Sequence, residues 1–263
     1  MPLRTLAFAI LSLAAVAATA QTTYDRVLIP VAVHQAPGAF NSSWTSEFWA
    51  HNPNAFAVDL RLPPLCVPIC ILPPLQAHDT LELTTLFEPA GDPGLVLYVQ
   101  QPSDNVWFFS RVYDESRQSQ TFGTEVPVVR EQQFYQRPFY LLGIPTASQF
   151  RVFLRIYDLD AGTDDVVTVR AFDAFSERPS FGSIDFTLSA PTAAPKLVGT
   201  TKPSYAAVQD IVHVFPGMLD STGKPVTSAF NLEITPKTPG LKIWAFASIT
   251  HNDTQHVTTI TPQ

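Results

Sequence analysis

The residues best suited to do chemistry lie in the stretch DLDAGTDD, where Asp158, Asp160, Asp164 and Asp165 surround Gly162. Hard oxygen ligands alternating along a tight loop are what calcium requires. The loop departs from an EF-hand, because the distal bidentate glutamate is missing and the flanks alternate as strands do. The competing reading is a solvated hairpin turn, since Asp and Gly are residues that turns favour. The expectation is no cofactor, with calcium as the one candidate.

Cys66 and Cys70, in CVPIC, are the only cysteines. In an exported chain their economical reading is a disulfide. A redox or metal role competes with it, but the spacing is wider than that of thioredoxin-like motifs and His78 is the one nearby ligand. Closing so small a ring contributes about 2 kcal/mol and mainly fixes the turn. His251 and His256 flank Asn252-Asp253-Thr254-Gln255 in a β turn, which is not the helical spacing of a zinc pair. No nucleophile elbow, phosphate loop or dinucleotide glycine pattern appears. Asp59, Glu82, Asp114, Glu115 and Glu125 supply carboxylates, but nothing in their spacing pairs them as a glycosidase would need. No catalytic residue is assigned, and a hydrolase assembled from distant segments is the least favoured class.

Aromatic side chains are the remaining candidates, as flat rings for sugars or for a partner protein. Trp49 lies on the opposite face of its strand from Trp44 and Phe48, and Tyr113, Phe134, Tyr135, Phe139 and Tyr140 cluster near the middle of the chain. The run REQQFYQRPFY, Arg130 to Tyr140, has a second reading as a linker whose rings pack between two units.

The elements that must position these residues are strands. Trp244 to Pro262 (WAFASITHNDTQHVTTITP) and Trp107 to Pro127 (WFFSRVYDESRQSQTFGTEVP) read as one hairpin used twice. Each runs from a Trp through an aromatic strand and a polar turn into a Thr/Val-rich strand closed by Pro. In order, Arg26 to Val33 is a first strand in which Pro30 suits an edge or bulge. Trp44 to Asn52 and Ala55 to Leu62 alternate about Asn52-Pro53-Asn54 and read as a hairpin. Phe150 to Tyr157 and Val166 to Phe172 occupy the same place in the second half. Ser180 to Leu188 and Phe230 to Thr235 add strands, and Ser189 to Lys202 reads as a connector. Tyr205 to Phe215 reads as a short helix, with Ala206, Val208, Ile211, Val212 and Phe215 on one face, or as a strand. The expected fold is all-β, with two related antiparallel sandwich-like units, 21–130 and 131–263.

Composition agrees. Charged residues make up 15% of the chain and prolines number 24, which argues for short strands and rigid turns over long helices. The formal charge is −7, one unit more negative once Arg4 is removed, so nucleic acid is not an expected partner. Met1 to Arg4, the apolar Leu6 to Ala18 and the small-x-small Ala18-Thr19-Ala20 read as a signal peptide, 1–20, cleaved before Gln21. No later stretch is apolar enough to span a membrane as a helix. The expected location is periplasmic, cell-surface or extracellular.

The strand WTSEFWAHNP, Trp44 to Pro53, and the late strand WAFASITHND, Trp244 to Asp253, resemble short motifs of strand-rich exported proteins of environmental bacteria, a largely uncharacterised group. The resemblance implies a secreted, surface-associated β-sandwich and transfers no catalytic residue. The functional expectation is a non-catalytic structural or protein-interaction module whose partner is a protein or polysaccharide at the cell surface. The alternative is a carbohydrate-binding module using surface aromatics.

Overall fold

A computed structural model of the chain describes residues 23–62, 72–84, 94–117, 122–160, 164–175, 180–189 and 203–263. The signal peptide, Cys66 and Cys70, and most of the Ser189 to Lys202 connector lie outside the described residues.

The fold is all-β. The first half contributes β1 (Tyr24–Ile29), β2 (Ala36–Pro37), β3 (Ser43–His51), β4 (Leu60–Arg61), β5 (Thr80–Glu82), β6 (Leu95–Gln100), β7 (Trp107–Asp114), β8 (Thr124–Glu125) and β9 (Val129–Arg130). The second contributes β10 (Phe139–Pro145), β11 (Phe150–Asp158), β12 (Asp165–Asp173), β13 (Gly182–Leu188), β14 (Ser204–Gln209), β15 (Ala229–Pro236), β16 (Ile243–His251) and β17 (Val257–Ile260). They form four antiparallel sheets. Sheet I runs β4-β6-β1-β9, and sheet II runs β2-β3-β7-β8 with β5 also on β3. Sheet III runs β14-β11-β16-β17, and sheet IV runs β13-β12-β15-β10.

The halves share one strand order. The path β5-β3-β7-β8 of sheet II corresponds to β14-β11-β16-β17 of sheet III, and β4-β6-β1 of sheet I corresponds to β12-β15-β10 of sheet IV. Both copies of the repeated stretch, Trp107 to Pro127 and Trp244 to Pro262, are hairpins here, β7 with β8 and β16 with β17.

Two local expectations are corrected. Trp44 to Leu62 is not a hairpin, because β3 belongs to sheet II and β4 to sheet I. The buried Asn52 redirects the chain: its amide donates toward the carbonyls of Phe56, Leu75 and Gln76, and its own oxygen accepts from Asn54. Those bonds satisfy the turn without strand pairing. Tyr205 to Phe215 is not a helix either. β14 pairs along β11 from Tyr205 to Gln209, so its backbone is satisfied by the sheet, and Asp210 at φ 53° ends the strand before a 3-10 turn at Ile211–Val214.

Alternation along each strand divides the apolar residues among three clusters. Val27, Ile29, Leu97 and Val99 of sheet I meet Phe48 and Ala50 of sheet II in one core. Val152, Leu154, Ala245 and Ala247 of sheet III meet Val167, Leu232 and Ile234 of sheet IV in another. The intervening residues of sheets I and III face the other way. Leu28 and Val96 meet Tyr157, Trp244 and Phe246 in a third cluster, with Val31 and Val126, which joins the two sandwiches.

Candidate functional site

The third cluster defines what the hairpin's aromatic residues do in the second half. Trp244 and Phe246 point to the outer side of sheet III and are 4% and 1% exposed, sealed against sheet I. Tyr157 stacks on Phe246 at 6.4 Å between centroids, and its hydroxyl donates to the Pro30 carbonyl at 2.5 Å. Burial pushes that phenol up to about 12.

The corresponding residues of β7 are Trp107 and Phe109, on the outer side of sheet II, while Phe108 turns inward to stack on Phe48 at 5.7 Å. Trp107 is 64% exposed and Phe109 is 37% exposed. Register places His51 beside Trp107 and Trp49 beside Phe109 on the same face. The His51 and Trp107 rings lie 5.5 Å apart, and His51 Nδ1 is fixed by Thr80 Oγ1 at 2.8 Å. The result is a four-ring patch, two strands wide, at the open end of the sheet.

Beyond it the face becomes charged and covered. Arg111 donates to both oxygens of Glu47, at 2.9 and 2.8 Å, and the exposed Phe122 ring lies over its guanidinium at 3.8 Å. Tyr113 is buried behind this pair, and burial, with Glu47 and Glu115 nearby, raises its phenol. The margins are acidic: Glu82 sits beside Trp49 and Glu125 beside Arg111, and both are exposed. Such an arrangement can stack and dock.

The other candidates lie elsewhere. Phe134 belongs to the cluster between the sandwiches and Phe139 to the second core, so neither presents a ring to solvent. Tyr135 is half-buried against Phe139, and Tyr140 is exposed on sheet IV, where its hydroxyl donates to Glu233 at 3.0 Å. The aromatic run around Arg130 to Tyr140 therefore mostly packs inward. Of the ring candidates, Trp49 alone is in the exposed patch. Trp107 and Phe109 were not among them, because Trp107-Phe108-Phe109 is apolar throughout and shows no alternation.

The four aspartates do not converge. Asp160 is tied to Arg26, which also holds Glu131 in a two-point pair at 2.9 and 2.6 Å. Hydrogen bonding from Arg26 holds the Glu131 carboxyl below its ordinary value. Asp164 is exposed at φ 71°, and Asp165 pairs in β12 opposite Leu188. Asp158 is 1% exposed; its Oδ1 accepts the Asp160 amide at 2.9 Å, and its Oδ2 has no hydrogen-bond partner among the described residues. Burial pushes this carboxyl up to about 7, with Asp160 and Asp165 adding and Arg26 opposing. Among the described residues no group of three or more His, Cys, Asp or Glu is placed to hold a metal ion.

No helix among the described residues is long and apolar enough to cross a membrane. No family model, curated protein or solved structure matches the chain.

Proposed function

We propose that the chain is an exported, non-catalytic interaction module that docks a partner at the cell surface through the outer face of sheet II. One observation carries this reading. The Trp-x-Phe pair that seals sheet III against a neighbouring sheet recurs at the matching place in sheet II and lies open. Exposed ring clusters of this kind are what docking surfaces contribute most of their energy from. The amino-terminal stretch supports export.

A second reading, a carbohydrate-binding module, is favoured by the same four rings, since flat aromatics also stack on sugar faces. Co-sedimentation of the mature chain with isolated cell envelopes, before and after proteinase treatment, separates the two. The expected result is retention that proteinase abolishes and that falls at least about tenfold in Trp107→Ala. Retention that survives proteinase and is competed by a neutral polysaccharide would support the sugar reading instead.

A further inference from the structure

The covered copy of this face shows what kind of surface fits it. Trp244 and Phe246 meet the aliphatic side chains Leu28 and Val96, which project from sheet I. Arg26, two residues from Leu28 on the same side of β1, reaches across to Asp160 at the end of β11. The docked surface is thus aliphatic at its centre, with Arg26, also paired to Glu131, at its margin, and it meets rings that have Arg155 beside Phe246 and Asp160 just beyond the strand.

The outer face of sheet II repeats the rings, with Trp49 beside Phe109 where Arg155 stands beside Phe246. Its rings are bordered by the exposed carboxylates of Glu82 and Glu125, while Glu47, the third acid, is already neutralised by Arg111. Among the ion pairs of the described residues none involves Glu82, and Glu125 lies opposite Arg111, which Glu47 already holds. Resting on the docking reading above, we infer that the partner is a protein presenting a β-sheet face with an aliphatic centre and an arginine- or lysine-bearing margin.

Charge complementarity also decides against two copies of this chain meeting patch to patch. Face to face, two such patches would oppose acid to acid. Sheet IV, which corresponds to sheet I, presents on its outer face the polar pairs Lys237 with Asp185 and Tyr140 with Glu233 beside the exposed Leu142 and Arg170. A formal charge of −7 steers a basic partner inward and repels a copy.

The test uses the whole mature chain and a pair of disulfide-closed β-hairpin peptides. One presents Leu and Val on one face with Arg at both margins; its twin has Glu in place of Arg. Titration followed by tryptophan fluorescence should show the Arg peptide binding at least about tenfold more tightly than its twin. That advantage should shrink steeply by about 0.5 M salt. Binding should be lost in Trp107→Ala and weakened in Glu82→Lys/Glu125→Lys. Equal affinity for both peptides, lost in Trp107→Ala, would overturn the basic partner and leave the docking face standing. Arg-peptide binding that is indifferent to Trp107→Ala would overturn both. A concentration-dependent dimer that Trp107→Ala dissociates would overturn the partner class in favour of a second copy.

Discussion

Replacing Trp244 with alanine is expected to cost about 3–5 kcal/mol of folding stability, whereas Trp107→Ala should cost about 0.5 kcal/mol or less. The two tryptophans hold the same position in the same hairpin, so local propensity cancels and the difference reports burial. Trp244 is 4% exposed and packs between Tyr157, Phe246 and the aliphatic side chains of sheet I. Removing the indole leaves a cavity in the cluster that joins the sandwiches, and the surrounding strands relax only in part. Trp107 is 64% exposed and leaves no cavity. Urea unfolding of both variants measures the contrast. Trp244→Ala should also separate the transitions of the two sandwiches, because the joint is weakened more than either core. Equal costs for the two substitutions would mean that the joint contributes little.

Asp158→Asn should stabilise the chain at pH 8 by about 4 kcal/mol and leave it nearly unchanged at pH 4. In the fold the Asp158 carboxyl is pushed up to about 7 from its ordinary 3.8, chiefly by burial. The folded chain therefore keeps a proton that the unfolded chain releases above about pH 4. This group favours folding most below that pH, and its contribution is lost as pH rises toward 7. Above 7 the fold must hold a charge whose Oδ2 has no hydrogen-bond partner among the described residues. Asparagine keeps the acceptor for the Asp160 amide and removes the ionisation. Thermal melts of both proteins across pH 4 to 8 should diverge with rising pH. Parallel curves would show that Asp158 titrates in the fold as it does in the open chain.

Strand alternation made much of the fold legible, and it failed where contacts are distant. The split of Trp44 to Asn52 into an inner set with Phe48 and Ala50 and an outer set with Glu47, Trp49 and His51 follows from period two alone. The crossing from β3 to β4 was hidden, because Asn52 reads locally as a hairpin turn while its amide is anchored by Leu75 and Gln76 far along the chain. Tyr205 to Phe215 fits a helical face nearly as well as a strand, and only the partner β11 decides it. At the site, Trp49 was legible from its face. Trp107 was hidden because Trp107-Phe108-Phe109 is apolar throughout, so the sequence does not say which side is covered. The burial of Phe134 was equally hidden, since it depends on where the two sandwiches meet.

Hydroxyl-radical footprinting of the mature chain, free and bound to cell envelopes, tests the docking face most directly. Phe175, 74% exposed just beyond β12, serves as the internal reference. Binding should protect Trp107 and Phe109 from oxidation and leave Phe175 as reactive as in the free protein. Protection at Phe175 with Trp107 and Phe109 unchanged would place the partner on another surface and contradict the assignment of sheet II.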